Sequence, residues 1–281
     1  MSIKKWIFVI SLLFSSSLFA SPDIEHWITN NGARVYFVNA PELPMVDVNI
    51  VFNAGAARDG EYPGLAKLTN AMLDEGAADL DADAIADTFS SVGANYSASS
   101  ERDMAVLSLR TLTEKKAFDT ALNMFAEVIA KPSFPESSFL RIKQQLLTAL
   151  QAEKQSPQSI ATRTFFQKLY GQHPYSRMSV GDTSSVEKIN LDDLKAFYQQ
   201  YYVAKNAVVV IVGDVSKQQA NEMATTLTKN LKSGNTAPEL PAVTPLTKQQ
   251  QVVLPFPSSQ TTIMMGQIGM SRDDPDYFPL Y

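Results

Sequence analysis

The run Ala-Val-Val-Val-Ile-Val at 207–212, bracketed by Asn206 and Gly213, constrains the fold more than any other stretch. It reads as a strand buried on both faces, which must lie inside a sheet with neighbours on either side. Two neighbours are visible near the N-terminus. Arg34–Asn39 and Met45–Asn53 alternate in the strand manner, with Val46, Val48, Ile50 and Phe52 on one face. Asn31-Gly32 and the Pro-x-x-Pro at 41–44 mark turns around the first of them.

Between these early strands and the late one the pattern is largely helical. Gly64–Glu75 carries an apolar stripe of Leu65, Leu68, Met72 and Leu73. Asp83 is the expected N-cap of a helix over Ala84–Val92 that Gly93 ends. Ala94–Ser99 and Asp103–Thr111 read as a strand pair. Helices follow over Glu114–Ala130, Glu136–Lys154, Ser159–Tyr170, Leu191–Tyr202 and Lys217–Leu231. Strands interleaved with helix pairs predict an α+β layer, with helices packed on an antiparallel-rich sheet. The polar segment Lys232–Gln249 is a linker rich in Pro, Thr, Lys and Asn. Beyond it, Gln251–Leu254 and Thr261–Met270 are expected to open a new strand set. The organisation expected is therefore a leader at 1–20, a domain at 21–232, a linker at 233–249 and the incomplete start of a second domain at 250–281.

The leader has the form of a secretory signal. Lys4 and Lys5 precede an apolar core, Trp6–Phe14, and Leu-Phe-Ala ends at a small-residue cleavage site before Ser21. Export to the periplasm or beyond is the expectation. The chain has no Cys, so neither a disulfide framework nor a lipid-bearing cysteine enters the argument. Its 24 basic and 29 acidic residues give −5, or −7 once Lys4 and Lys5 leave with the signal. That balance opposes nucleic acid and anionic lipid as partners. Nothing after residue 20 is apolar for long enough to span a bilayer.

Three stretches together resemble the pitrilysin/insulinase family of metallopeptidases, especially its bacterial members built of two homologous domains. They are NAGAARDGEYPGLAKLTNAMLDEGA at 53–77, HPYSRMSVGDTSSVEKINLDDLKAFYQQYY at 173–202, and NAVVVIVGDV at 206–215. The resemblance implies that family's layer of helices on a mostly antiparallel sheet. It also implies a zinc site on the helix within Gly64–Ala77, where the inverted motif His-x-x-Glu-His would stand. This chain has Lys67, Leu68, Thr69, Asn70 and Ala71 there. Lys67 and Ala71 occupy the positions of the two histidine ligands, and Asn70 that of the glutamate base. Counting from Arg141 and Pro157 puts the third ligand, a glutamate in the family, at or near Leu147. The nearest carboxylate, Glu153, lies six residues on. Two imidazoles one turn apart and an adjacent carboxylate are what hold Zn²⁺ and activate water, and none of these residues supplies them.

No substitute site is evident in the sequence. The two histidines, His26 and His173, are far apart. Asp79, Asp81 and Asp83 alternate like a calcium loop, but Ala84 and Ser90 stand where that loop needs Gly and Glu. Ser185 and Lys188 match a Ser-x-x-Lys pattern by chance, in a polar loop before a helix. The family's edge strand takes up extended substrate by main-chain pairing, and the resemblance assigns that role here to Asn95, Tyr96, Ser97 and Ala98. The leading expectation is a non-catalytic subunit paired with a homologous active peptidase, with zinc on that partner, peptides as substrates and no cofactor on this chain. A stand-alone peptide-binding or scaffold protein is one alternative. A zinc peptidase with unconventional ligands is the other.

Overall fold

A computed structural model describes residues 23–280; the leader at 1–20 lies outside them. Six strands form one sheet. In chain order they are β1 (Glu25–Ile28), β2 (Arg34–Asn39), β3 (Met45–Phe52), β6 (Asn95–Ser100), β7 (Ala105–Leu112) and β8 (Ala207–Gly213). A two-residue pair, β4 (Gly76–Ala77) and β5 (Leu80–Asp81), stands apart. The spatial order of the main sheet is β1-β2-β8-β3-β7-β6. Only β2–β8 is parallel; the other four pairings are antiparallel. The expected α+β architecture on a mostly antiparallel sheet is therefore observed.

The helices are α1 (Leu65–Ala71), α2 (Ala82–Ser91), α3 (Lys115–Ala130), α4 (Glu136–Glu153), α5 (Pro157–Tyr170), α6 (Thr183–Lys188), α7 (Leu191–Tyr201), α8 (Lys217–Thr228) and a closing turn, α9 (Tyr277–Leu280). α3 packs on β7 and on α8, α8 reaches β2, and α2 lies against α3. This helix layer buries one face of the sheet, with Phe37, Ile50, Phe52, Leu107, Leu109, Phe125 and Ile129 essentially inaccessible. Each fully buried aliphatic or aromatic side chain of this size contributes about 1.5–3 kcal/mol.

The run that anchors the fold is buried less completely than its composition suggests. Ala207, Val209 and Ile211 are buried, whereas Val208, Val210 and Val212 are half-buried. Helices cover only one side of β8, so its valines alternate between core and open face. β8 inserts between β2 and β3, which explains why two consecutive strands are not partners.

Several other expectations shift. α1 stops at Ala71 because Met72 and Leu73 donate to Thr69 and Asn70, three residues back, turning the chain while both side chains stay buried. Asp81, not Asp83, caps α2, accepting from the Ala84 amide at 2.9 Å. β1 is an addition to the sequence reading, and so is α6, which takes in the stretch Ser185–Lys188 read as a polar loop before a helix. The strands expected at Gln251–Leu254 and Thr261–Met270 do not form: neither segment pairs with any described strand. Ile263 and Met265 remain 81% and 91% exposed. The linker instead runs along the domain as a strap. Its first residues pair with Ala204 and Lys205, Ala237 donates to Asn206 Oδ1, and Arg58 Nη1 donates to the Pro238 carbonyl.

Candidate functional site

The helix α1 begins at a backbone that no side chain within it caps. Gly64, the N-cap position, has φ +102°, a conformation glycine adopts without a Cβ penalty. The cap comes from upstream. Asp59 is 4% exposed, and its two carboxylate oxygens accept from the Gly64 and Ala66 amides, each at 2.7 Å. Burial pushes its carboxyl up to about 7, against the opposing pull of the two amides and of Arg177. Gly181 presses on the same spot: a Cβ there would lie 2.0 Å from the Pro63 carbonyl oxygen. Sequence reasoning missed Asp59. The signal was an acid five residues before the glycine at the helix N-cap.

So anchored, α1 lies beside β6 and touches α4 and α7. Lys67 and Ala71, one turn apart, are half-buried on a shared face. Asn70 turns inward: it is 3% exposed, and its Nδ2 donates to the Tyr202 hydroxyl at 3.4 Å. Tyr202 stacks on Tyr198, whose hydroxyl donates to the Ile129 carbonyl at 2.8 Å. Burial raises both phenols, so both stay neutral at physiological pH. Leu147 on α4 packs against the hydrophobic core. Glu153 is ion-paired to Arg163 at 2.8 Å and serves α5. Glu75, just past α1, pairs with Arg141 of α4.

The four positions compared with zinc ligands and base thus present an ammonium, an amide turned inward, a methyl and an isobutyl group. An ammonium has no lone pair to donate, and the alkyl groups have none at all. Zinc does not fit this set. Among the described residues, no three His, Asp or Glu side chains gather in a way that would hold a metal ion. His26 stacks on Tyr36 on the open face of the sheet, while His173 belongs to a turn beside α5. Ser185 is structural. Its hydroxyl donates to the Pro63 carbonyl at 2.7 Å and closes the cap of α6.

Asn95, Tyr96, Ser97 and Ala98 lie together on β6, an edge strand whose only partner among the described strands is β7. Asn95 and Ser97 point to the open face, in rows with Arg110 and Asp47 and with Ser108 and Asn49. These residues line a shallow groove of about 590 Å³. Tyr96 points the other way. It stacks on Phe89 at 5.2 Å, and its buried hydroxyl has no hydrogen-bond partner. Burial, then Asp74 and Tyr202, drives its phenol upward. Of the four, Asn95 and Ser97 have side chains on the open face, whereas Tyr96 serves the core.

A helix layer on this sheet order, with α1 beside an edge strand, is the architecture of pitrilysin-like domains. Residues 34–183 match the family described as Insulinase (Peptidase family M16), and residues 188–281 match Peptidase M16 inactive domain. The chain belongs to the M16 family. It is similar to the crystal structure of a peptidase M16 inactive domain from Pseudomonas fluorescens, with 41% identity and a TM-score of 0.86. That match covers 91% of this chain and 62% of the other. A Helicobacter pylori protein named Non-peptidase homolog YmxG is 26% identical over 94% of this chain and 60% of its own length. The Zinc protease PqqE of the same organism is 30% identical over 43% of this chain and 28% of its own length. The chain thus spans 60% or less of the length of these curated relatives. No helix among the described residues is long and apolar enough to cross a membrane.

Proposed function

We propose that the protein is an exported, non-catalytic M16 subunit that pairs with an active zinc peptidase of the same family and lends β6 to its peptide-binding chamber. One observation carries this reading: the family fold is intact around a site whose four functional positions hold Lys67, Asn70, Ala71 and Leu147. Loss of one ligand would point to a damaged enzyme. Replacement of every element, with Asn70 inside the core and Leu147 packed against it, points to a protein kept for another role. Helicobacter pylori carries both a relative named as a non-peptidase and one named as a zinc protease, which suits a paired arrangement. Pairing by strand addition at β6 needs no metal on this chain.

The test is to purify the protein alone, a neighbouring family member with an intact His-x-x-Glu-His motif alone, and the two together, and to assay a quenched fluorescent peptide. The pair is expected to cleave faster than the partner alone, and this chain alone not at all. Chelator-sensitive cleavage by the isolated chain would overturn the reading. The free edge of β6 also favours stand-alone peptide binding, whose mark would be recovered peptides with no co-purifying peptidase.

A further inference from the structure

We infer that the His173-Pro174-Tyr175 turn positions edge strand β6, fixing the tip of the β6–β7 hairpin against α5 and the linker strap. The inference rests on reading β6 as the strand that receives peptide. The hairpin turns over Glu101–Met104, where the Glu101 amide donates to the Met104 carbonyl at 2.8 Å. On one side the amides of Ala56 and Ala57 hold this tip through the carbonyls of Glu101 and Arg102, at 3.0 and 2.7 Å. On the other side the tip meets Tyr175 and Phe166. The Arg102 guanidinium lies 4.3 Å from the ring centre of Phe166 and 5.4 Å from that of Tyr175, a cation held between aromatic faces. Its Nη1 donates to the Tyr175 carbonyl at 3.3 Å, and the Tyr175 hydroxyl donates to Asp103 Oδ1 at 2.6 Å. Burial, followed by the Asp103 carboxylate, pushes that phenol up to about 12, so it remains a donor at neutral pH.

Tyr175 is held in turn by His173. The ring Nδ1 accepts from the Tyr175 amide at 3.1 Å, and Nε2 lies 2.9 Å from the Pro241 carbonyl oxygen. An amide can only donate and a carbonyl can only accept. The two contacts therefore fix the neutral tautomer with the proton on Nε2. One buried imidazole thus ties the hairpin clamp to the strap at Pro241. A strand that receives a partner by main-chain pairing must be held in register before the partner arrives, since any ordering left undone is subtracted from affinity. The far edge of β6 has no strand among the described residues to hold it. The clamp at its tip supplies that order from the side away from the peptide.

The experiment compares Tyr175→Phe, which removes only the bond to Asp103, and Arg102→Ala with Tyr198→Phe. The last loses a similar hydrogen bond, to Ile129, away from the hairpin. Amide hydrogen exchange is followed segment by segment, alongside the affinity of a fluorescein-labelled peptide of about ten residues, the length of a long strand. Loss of one such bond is expected to speed exchange within residues 95–100 about fivefold and to weaken the peptide by a similar factor. Exchange in β8 and α3 should be unchanged, and Tyr198→Phe should leave β6 at its wild-type rate. Unchanged β6 exchange in Tyr175→Phe and Arg102→Ala, or an equal rise in Tyr198→Phe, would overturn the positioning role. A wild-type protein that binds no peptide, but whose β6 still loosens in Tyr175→Phe, would remove the peptide reading and leave the clamp standing.

Discussion

Replacing Asp59 by Asn tests how α1 is anchored and gives a sign as well as a size. The carboxylate is buried at 4% exposure and capped by two amides, with its pKa raised from 3.8 to about 7. A folded-state pKa above the unfolded one means that the native protein holds the proton more tightly. Stability from this group is then fully present below about pH 4 and is lost as pH rises through 7. A rise of roughly three pH units, at 1.36 kcal/mol each, sets the loss at about 4 kcal/mol. Asn is the same shape and cannot ionise, but its Nδ2 offers no acceptor to the second of the two amides, so the variant carries a deficit that does not change with pH. Measured from its value near pH 4, the stability difference should therefore move by about 4 kcal/mol in favour of Asp59→Asn by pH 8. Urea unfolding of both proteins at unit intervals between these limits measures the difference, in which contributions from all other titrating groups cancel. A flat difference, or one that falls with pH, would refute the reasoning. It would mean that the Gly64 and Ala66 amides and Arg177 outweigh burial and hold the carboxylate ionised.

Three further outcomes follow from the same region. Gly181→Ala should lower stability by about 2 kcal/mol or more in chemical denaturation, since its φ is +71° and a Cβ would meet the Pro63 carbonyl and the Gly64 amide. Restoring all four positions, as Lys67→His, Asn70→Glu, Ala71→His and Leu147→Glu, should give zinc binding by metal analysis of the purified protein, with wild type below about one metal per ten chains. Asn70→Glu alone should destabilise by about 1–3 kcal/mol, again read by denaturation, because it drives a carboxylate into a space 3% exposed beneath Tyr202.

Local features of this fold were readable where a residue's own neighbours in sequence decide its state. The alternation of Val46, Val48, Ile50 and Phe52 gave β3, and the apolar stripes gave α3, α4 and α8 to within a few residues. Burial on the second face of β8 was not readable, because a valine run looks the same whether helices cover one side of a sheet or both. Short α6 was hidden by its polar composition; it holds through a capping box and Ser185, whose partner Pro63 is more than a hundred residues away. Likewise, alternation in Gln251–Leu254 and Thr261–Met270 suggests strands, but a strand is a pairing, and no described strand supplies the other half.

The site divides along the same line. That Lys67, Asn70, Ala71 and Leu147 cannot ligate zinc is a matter of side-chain chemistry, and the sequence alone was enough to say so. What replaced the chemistry was legible only in space. Asn70 has become a core polar group facing Tyr202, and Tyr96, on a strand expected to meet substrate, gives its ring to Phe89 and Phe125. The helix start is held by Asp59, a residue outside the motif, and the edge strand by Tyr175 and His173, some seventy residues from the hairpin they secure. Packing and ion pairs such as Glu75–Arg141 hold α1 and the turn after it to α4. The residues around positions 67, 70, 71 and 147 therefore serve the structure, and β6 keeps an edge that no described strand pairs with.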